Sequence, residues 1–161
     1  MTFNAGDMAV VRLGYDQLAS VGQVMSRAFD PRYGEAWNEA QCLALLALPG
    51  YRLSGLMSGK GDMLGFSISR HVAGESELLL IAVDPSFGRN GYGTILINDW
   101  IAQCRQNGIN RVFLEVRADN PALILYDKLG FARLAVRPAY YRGGDGVLRD
   151  AVTMQKLIEG I

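Results

Sequence analysis

The feature that most constrains this chain is a buried-type strand that runs through a glycine-rich turn directly into a helix, between Ile81 and Thr94. Glycines at positions 88, 91 and 93 allow the backbone to approach a ligand closely, and the first N–H groups of the helix lack partners within it. Such a turn favours the binding of an anion. Arg89 adds a positive charge suited to phosphate oxygens. The spacing matches neither common nucleotide-binding glycine pattern. The alternative is a tight connection that binds nothing.

A second segment with candidate chemistry runs from Phe113 to Pro121. Glu115 lies there on an otherwise apolar strand, and strand alternation places it on the face opposite Leu114 and Val116. A carboxylate at such a position is a candidate general base, and the alternative is a solvent-facing glutamate. Tyr126, on a short predicted helix, is a further candidate, with a half-buried core aromatic as its alternative.

Hydrophobic periodicity along the whole chain predicts one mixed α/β sheet. Strands are predicted over Met8–Leu13, Tyr51–Met57, Met63–His71, Glu77–Val83, Arg111–Arg117, Phe131–Val136 and Val147–Leu157. Helices are predicted over Tyr15–Phe29, Asn38–Leu48, Gly91–Gln106 and Pro121–Leu129. No repeat, low-complexity tract or linker interrupts this order, so we expect a single domain over residues 1–161.

Length and composition exclude several classes of protein. The 161 residues, half of them hydrophobic and 20% charged, exclude disorder for most of the chain and suffice for one core. Sixteen basic and sixteen acidic residues balance, which argues against a protein held on nucleic acid mainly by its phosphates. No apolar stretch approaches the roughly 20 residues of a bilayer span, and no secretory signal is visible. We therefore expect a cytoplasmic protein that is not bound to a membrane.

The cysteines and the histidine predict no metal site. Cys42 and Cys104 are separate thiols without Cys-x-x-Cys spacing, and we expect both to be reduced and structural. The single histidine, His71, stands near the end of a predicted strand, and we expect it at the surface or in a turn. Neither metal catalysis nor a histidine-based triad is expected from this set.

Together with Leu125 to Phe131, the two segments resemble the acetyl-CoA-binding half of the GNAT N-acetyltransferase superfamily. The span from Ile81 to Met154 is most similar to bacterial members that acetylate the N-terminal alanine of a ribosomal protein, through Ile81–Pro85, Leu114–Arg117 and Tyr140–Tyr141. The resemblance implies a GNAT fold, an α/β architecture with a mixed central sheet of about seven strands flanked by about four helices. It also implies acetyl-CoA as co-substrate, with no metal.

The resemblance also implies roles for individual residues. Glu115 matches the family's general base, and Tyr126 matches its general acid toward the leaving thiolate. The backbone groups that would meet the pantetheine arm belong to Ile81, Ala82 and Val83, with the Asn120 side chain nearby. The residues that would hold the pyrophosphate are Arg89, Asn90, Gly91, Tyr92, Gly93 and Thr94.

Three local differences separate this chain from the family pattern. Gly88 precedes Arg89 where relatives have Gln or Arg followed by Gly, which places the cation one residue later. The stretch between Asn120 and Tyr126 is one residue shorter than is usual in the family. Arg149 stands where an acidic residue is frequent, which changes the charge on the acceptor side.

The expected acceptor is a primary amine, with the N-terminal α-amine of a protein favoured. An α-amino group has a pKa of about 7.7 to 8.0 against about 10.4 for lysine, so its deprotonation at neutral pH costs roughly 3 to 4 kcal/mol less. Tyr140 and Tyr141 are candidates to wall a slot for it; the alternative is that they pack a hairpin. Trp37, which shares a loop with Tyr33, is either an acceptor contact or a core residue.

Two other functions stay open at this point. In the first, the accepting group is a small-molecule amine or a lysine side chain. In the second, the chain binds an acyl-CoA without turnover, as a sensor module. The presence of both Glu115 and Tyr126 favours an enzyme over a sensor.

Overall fold

The fold is a seven-stranded mixed sheet with helices on both faces. A computed structural model of the chain describes residues 7–88 and 90–159. Its strands are β1 (Met8–Arg12), β2 (Tyr51–Ser58), β3 (Met63–Val72), β4 (Glu75–Val83), β5 (Arg111–Arg117), β6 (Ala132–Arg142) and β7 (Leu148–Leu157), in the sheet order β1-β2-β3-β4-β5-β7-β6. The α-helices in this part of the chain are α1 (Leu18–Ala28), α2 (Glu39–Leu46), α3 (Tyr92–Gln106) and α4 (Ala122–Lys128). The expected strand number, helix number and mixed sheet are confirmed.

The first four strands are antiparallel neighbours, and β2, β3 and β4 form a meander joined by tight turns. The turn Ala73-Gly74 joins β3 to β4 with positive φ at both residues, 50° and 82°. That backbone geometry matches the right-handed twist of the strands it connects, so Val72 pairs directly with Glu75. The meander brings β4 to the centre of the sheet, beside β5.

The main irregularity of the sheet lies between β4 and β5, which are parallel neighbours over only part of their length. They pair from Glu75 with Arg111 to Leu78 with Leu114. Leu79 has no partner on β3, and this bulge bends β4 at the point where the pairing with β5 ends. Beyond Leu78 no described strand pairs with this side of β4, and the sheet opens into a cleft.

Two helical layers cover opposite faces of the sheet. Phe66 of β3 lies in the core beneath α1 and α2. A Cβ on the neighbouring Gly65 would meet Leu96 of α3 at 3.2 Å, so α3 covers the other face. Leu114 of β5 packs in the core under α3 and α4. Because successive residues alternate between faces, Glu115 points to the opposite side, as the sequence predicted.

The helices begin and end close to the predicted residues, with one difference at the first. The predicted helix Tyr15–Phe29 is a short 3-10 turn, Tyr15–Gln17, followed by α1. The predicted start of α2 is confirmed by a reciprocal cap, in which the Asn38 side chain accepts the Gln41 N–H and the Gln41 side chain accepts the Asn38 N–H.

Two further expectations from the sequence are wrong. The strand predicted over Phe131–Val136 continues to Arg142, because an edge strand can accommodate Pro138 in a bulge. His71 lies within β3, half-buried, with its Nε2 4.0 Å from the Cys104 Sγ, rather than at the surface or in a turn. Desolvation lowers the pKa of His71 below its usual value.

The sequence prediction for the two cysteines is confirmed. Cys42 and Cys104 are free thiols, and both are buried.

In the ranges 7–88 and 90–159, no helix is long and apolar enough to cross a membrane. The same described residues contain no cluster of three or more His, Cys, Asp or Glu side chains that could hold a metal ion.

Candidate active site

Two adjoining cavities occupy the cleft where β4 and β5 diverge. The large cavity, about 340 Å³, is lined by both strands, by the loop between α1 and α2 and by the end of β6. The β4 channel, about 300 Å³, follows β4 toward its carboxyl end. Both are lined by Phe29, Tyr33, Glu35, Ile81, Arg117, Asn120 and Tyr126. The two cavities therefore meet at the point where the strands separate.

Glu115 lines the large cavity from β5. Its side chain is 19% exposed, and the Arg137 Nε lies 3.1 Å from its Oε1. Thr153, its register partner on β7, donates its hydroxyl to the same oxygen at 3.4 Å. A carboxylate has about four lone-pair sites, so these two contacts leave acceptor capacity for a group inside the cavity.

Tyr126 lines both cavities from α4. It is 5% exposed and makes an edge contact with Phe131, with 5.9 Å between ring centroids. Burial, together with the nearby carboxylate of Glu35, raises the pKa of Tyr126 to about 12. The phenol therefore keeps its proton at neutral pH and can act only as a donor or a neutral acceptor. It is a core aromatic that also lines the cavity, and its catalytic role stays a prediction.

The end of β4, from Ile81 to Val83, has one free backbone edge. Its other edge pairs with β3 from Gly65 to Ser67. All three residues of β4 line the channel, and Ala82 also contributes its buried side chain to the core beneath α1. An extended ligand in this channel can pair with the free edge as an additional strand does.

The turn between β4 and α3 is rigid at its start. The Asp84 carboxylate is buried, accepts the Ser86 N–H at 2.9 Å and pairs with Arg27 at 2.8 Å. The Ser86 N–H, followed by Arg27, holds the pKa of the Asp84 carboxyl below its usual range. These contacts fix the direction in which the chain leaves β4.

The glycine-rich part of this turn is open at the helix start. Gly91 precedes α3 with φ 75°, in the left-handed region, and no described side chain caps the helix. Among the described residues no atom lies within 4 Å of the position that a Cβ at Gly91 would take, so the helix start that carries the N–H groups of Tyr92, Gly93 and Thr94 is not covered on that side. Uncapped donors facing open space fit a phosphate group. The Asn90 side chain is used locally, donating to the Phe87 carbonyl at 3.1 Å, and Arg89 lies outside the described residues.

Asn120 lines both cavities, but its side chain also has a structural task. Its Oδ1 accepts the Ala122 N–H at 2.9 Å, at the start of α4. The amide nitrogen is the part of the side chain that remains to meet a ligand. Asn120 therefore lies just before the start of α4.

The residues predicted to contact the acceptor all line the large cavity. Tyr140 and Tyr141 meet edge to face, with 5.2 Å between ring centroids. Burial, with the carboxylates of Glu115 and Glu35 nearby, raises the pKa of Tyr141 to about 12. Trp37 lines the cavity and also packs against the core beneath α1, so its core role is confirmed and its contact with an acceptor stays a prediction.

A cluster that the sequence analysis did not identify borders both cavities. Arg117 is 5% exposed and lies 2.5 Å from the Glu35 carboxylate, and it also pairs with Asp119. Its guanidinium lies 3.5 Å from the centroid of the Tyr33 ring, and that of Arg149 lies 4.8 Å from the same centroid. Glu35 and Arg117 are 82 positions apart in the chain. The one local signal was the arginine at the end of β5.

The sequence and the fold both match known acetyltransferases. The profile of the Acetyltransferase (GNAT) family matches residues 23–131. The chain is 39% identical over 99 residues to the [ribosomal protein bS18]-alanine N-acetyltransferase of Escherichia coli strain K12, covering 61% of this chain and 66% of that protein, just under two thirds. It is 35% identical over 127 residues to the N-alpha-acetyltransferase RimI of Mycobacterium tuberculosis, covering 76% of each chain.

A solved structure agrees with these sequence matches. The crystal structure of the ribosomal-protein-S18-alanine N-acetyltransferase from Escherichia coli superimposes with a TM-score of 0.84 and 31% identity, over 96% of both chains. The family profile covers most of the cleft-forming elements, from within α1 to the end of α4. The diverging strands, the free edge of β4 and the open start of α3 are thus features of a chain that belongs to the GNAT acetyltransferase family.

Proposed function

We propose that this protein transfers an acetyl group from acetyl-CoA to the N-terminal α-amine of a protein, with an alanine-initiated ribosomal protein as the leading acceptor. The observation that carries the proposal is that Glu115 and Tyr126 line the same large cavity, and that Tyr126 also lines the channel along β4. The names of the relatives in E. coli and M. tuberculosis support the choice of an α-amine.

The β4 channel and the open start of α3 fit the co-substrate. The free backbone edge of Ile81–Val83 would hold the pantetheine arm, and the N–H groups of the first turn of α3 would hold the diphosphate. When bound, acetyl-CoA supplies a thioester, whose acyl carbon is reactive toward an amine. The residues of this chain then have to orient an amine, remove its proton and protonate the sulfur that leaves.

Glu115 is positioned to remove the proton from the amine. Its carboxylate lines the large cavity, and the amine needs a neutral nitrogen with a free lone pair to attack. An α-amine with a pKa of about 8 requires only a modest base at neutral pH. A single carboxylate, acting directly or through a water molecule, therefore suits an α-amine better than a lysine.

Tyr126 is positioned to act as the proton donor to the sulfur that leaves. Its phenol lies where the two cavities meet, and its raised pKa of about 12 keeps it protonated at neutral pH. Because a thiol has a pKa of only about 8.5, the phenol stabilises the departing thiolate mainly by donating a hydrogen bond to it. Arg117 borders the same junction, but its charge is shared with the carboxylates of Glu35 and Asp119.

Thiol release from acetyl-CoA tests the proposal directly. The acceptors to compare are a short peptide that begins with Ala, an N-terminally blocked peptide that contains Lys, and a polyamine. We expect release with the Ala-initiated peptide and little with the other two. Preference for the blocked peptide or the polyamine would move the acceptor to a lysine or a small molecule, and tight acetyl-CoA binding without any release would indicate a sensor.

A further inference from the structure

The pairing of β6 with β7 contains a bulge directly before the two cavity tyrosines. Arg137 and Tyr141 both keep a partner on β7, whereas the three residues from 138 to 140 oppose only Asp150. Bulges bend the strand that contains them and redirect the side chains on either side. The sheet therefore changes direction at the residues that border the large cavity.

The bulge holds a residue with a side chain in the left-handed region of the backbone. Ala139 has φ 50°, a conformation in which Cβ crowds the following carbonyl. Pro138 has no N–H group to contribute to the ladder. The Asp150 side chain compensates, because its Oδ1 accepts the Ala139 N–H at 2.9 Å. The Asp150 backbone carbonyl accepts the Ala118 N–H at 2.9 Å, which connects the bulge to the loop after β5.

Side chains on both sides of the bulge reach Glu115 and the large cavity. Tyr140 and Tyr141 follow Ala139 and line the cavity in edge-to-face contact. Arg137 precedes the bulge, with its guanidinium 5.1 Å from the centroid of the Tyr140 ring and its Nε 3.1 Å from the Glu115 carboxylate. The conformation of the bulge thus sets the positions of three side chains around one carboxylate.

We propose that Asp150 is a positioning residue for the acceptor: by holding the left-handed backbone at Ala139, it fixes Tyr140 and Tyr141 in the wall of the acceptor cavity. The inference rests on the proposed function, in which the large cavity receives the amine. Asp150 itself does not line either cavity, so its effect reaches the amine through the backbone of β6. Binding of acetyl-CoA along β4 does not depend on it.

Steady-state kinetics of the full chain with acetyl-CoA and an Ala-initiated peptide test this role. In Asp150→Ala we expect the KM for the peptide to rise about three- to tenfold, less than the roughly 10- to 100-fold equivalent of a whole hydrogen bond to a charged group, because the loss reaches the amine only through the backbone. The Kd for acetyl-CoA, measured by calorimetry, stays unchanged. Asp150→Asn retains an accepting oxygen, so we expect its KM for the peptide to lie close to the wild-type value. Adding Ala139→Asn to Asp150→Ala brings the KM part of the way back, because asparagine tolerates the left-handed region.

Two results would overturn the inference. One is an unchanged peptide KM in Asp150→Ala. The other is a loss of acetyl-CoA affinity as large as the rise in the peptide KM, which would indicate general structural damage. If the wild-type chain does not acetylate the peptide, the proposed acceptor is wrong. Amide hydrogen exchange over residues 137–141 then tests whether Asp150 holds the backbone of the bulge. Faster exchange in Asp150→Ala than in the hairpin control Asp145→Ala supports it, and equal exchange refutes it.

Discussion

At the level of single side chains, Glu115 is the residue whose loss best separates chemistry from binding. We expect Glu115→Gln to lower kcat by about 10² or more at pH 7, the usual contribution of general-base catalysis. The Kd for acetyl-CoA stays nearly unchanged, because Glu115 does not line the β4 channel. Glu75→Gln is the matched control, since Glu75 pairs with Arg111 on the same sheet outside the cleft. Equal kcat in Glu115→Gln and wild type would place the base elsewhere.

Arg117 is the most buried cation among the described residues. The carboxylates of Glu35 and Asp119 compensate its buried charge. Removing it in Arg117→Gln leaves the Glu35 carboxylate, only 20% exposed, without its cation. We expect a loss of about 2 to 3 kcal/mol in the free energy of unfolding, below the figure for fully buried pairs because Asp119 is half-exposed. Urea denaturation measures it. The control Arg133→Gln breaks an exposed pair with Asp127 and is expected to cost less than about 1 kcal/mol.

At the level of elements, the two ends of α3 allow a matched test of the anion site. Gly91 at its start and Gly108 just beyond its end both have positive φ, 75° and 69°, and a Cβ on either meets no atom within 4 Å. Gly91→Ala and Gly108→Ala should each lose about 1 kcal/mol of stability through backbone strain. We expect only Gly91→Ala to weaken the binding of coenzyme A in calorimetry. Equal affinity in both variants would show that the diphosphate binds elsewhere.

The strands show which elements follow from local patterns and which do not. The alternation of Leu114, Glu115 and Val116 predicted the face of each side chain correctly, because a β-strand has a fixed period of two residues. The end of β6 was predicted too early, because Pro138 removes an N–H group and normally ends pairing. Only the position of β6 at the sheet edge, beside β7 alone, permits the bulge that carries the strand onward.

At the level of the whole molecule, buried tyrosines link stability to alkaline pH. The pKa of Tyr126 is about 12 in the folded chain and about 10 when unfolded. Because the folded pKa is the higher one, the stability contribution is complete below pH 10 and is lost as the pH rises from about 10 to 12. Two pKa units correspond to about 3 kcal/mol. Urea titrations across this range should show a smaller loss in Tyr126→Phe than in wild type, and equal losses would contradict the buried phenol.

Periodicity and turn residues were enough to predict the mixed sheet and the order of its strands and helices. These features depend on neighbours within about four residues along the chain, so they can be read locally. The family resemblance added roles for Glu115 and Tyr126, which remain predictions until the variants are measured. The local sequence also predicted that Cys42 and Cys104 would be reduced and structural, and the structure shows both as buried free thiols.

Other properties were decided only by the tertiary structure. The cleft exists because β4 and β5 separate after Leu78 and Leu114, a consequence of how the bulged β4 packs between its neighbours. The pairing of Glu35 with Arg117 joins residues 82 positions apart, and no local pattern reports such a contact. Hydrophobic alternation and turn chemistry are properties of adjacent residues, whereas the shape and charge of a cavity arise where distant segments are brought together by packing.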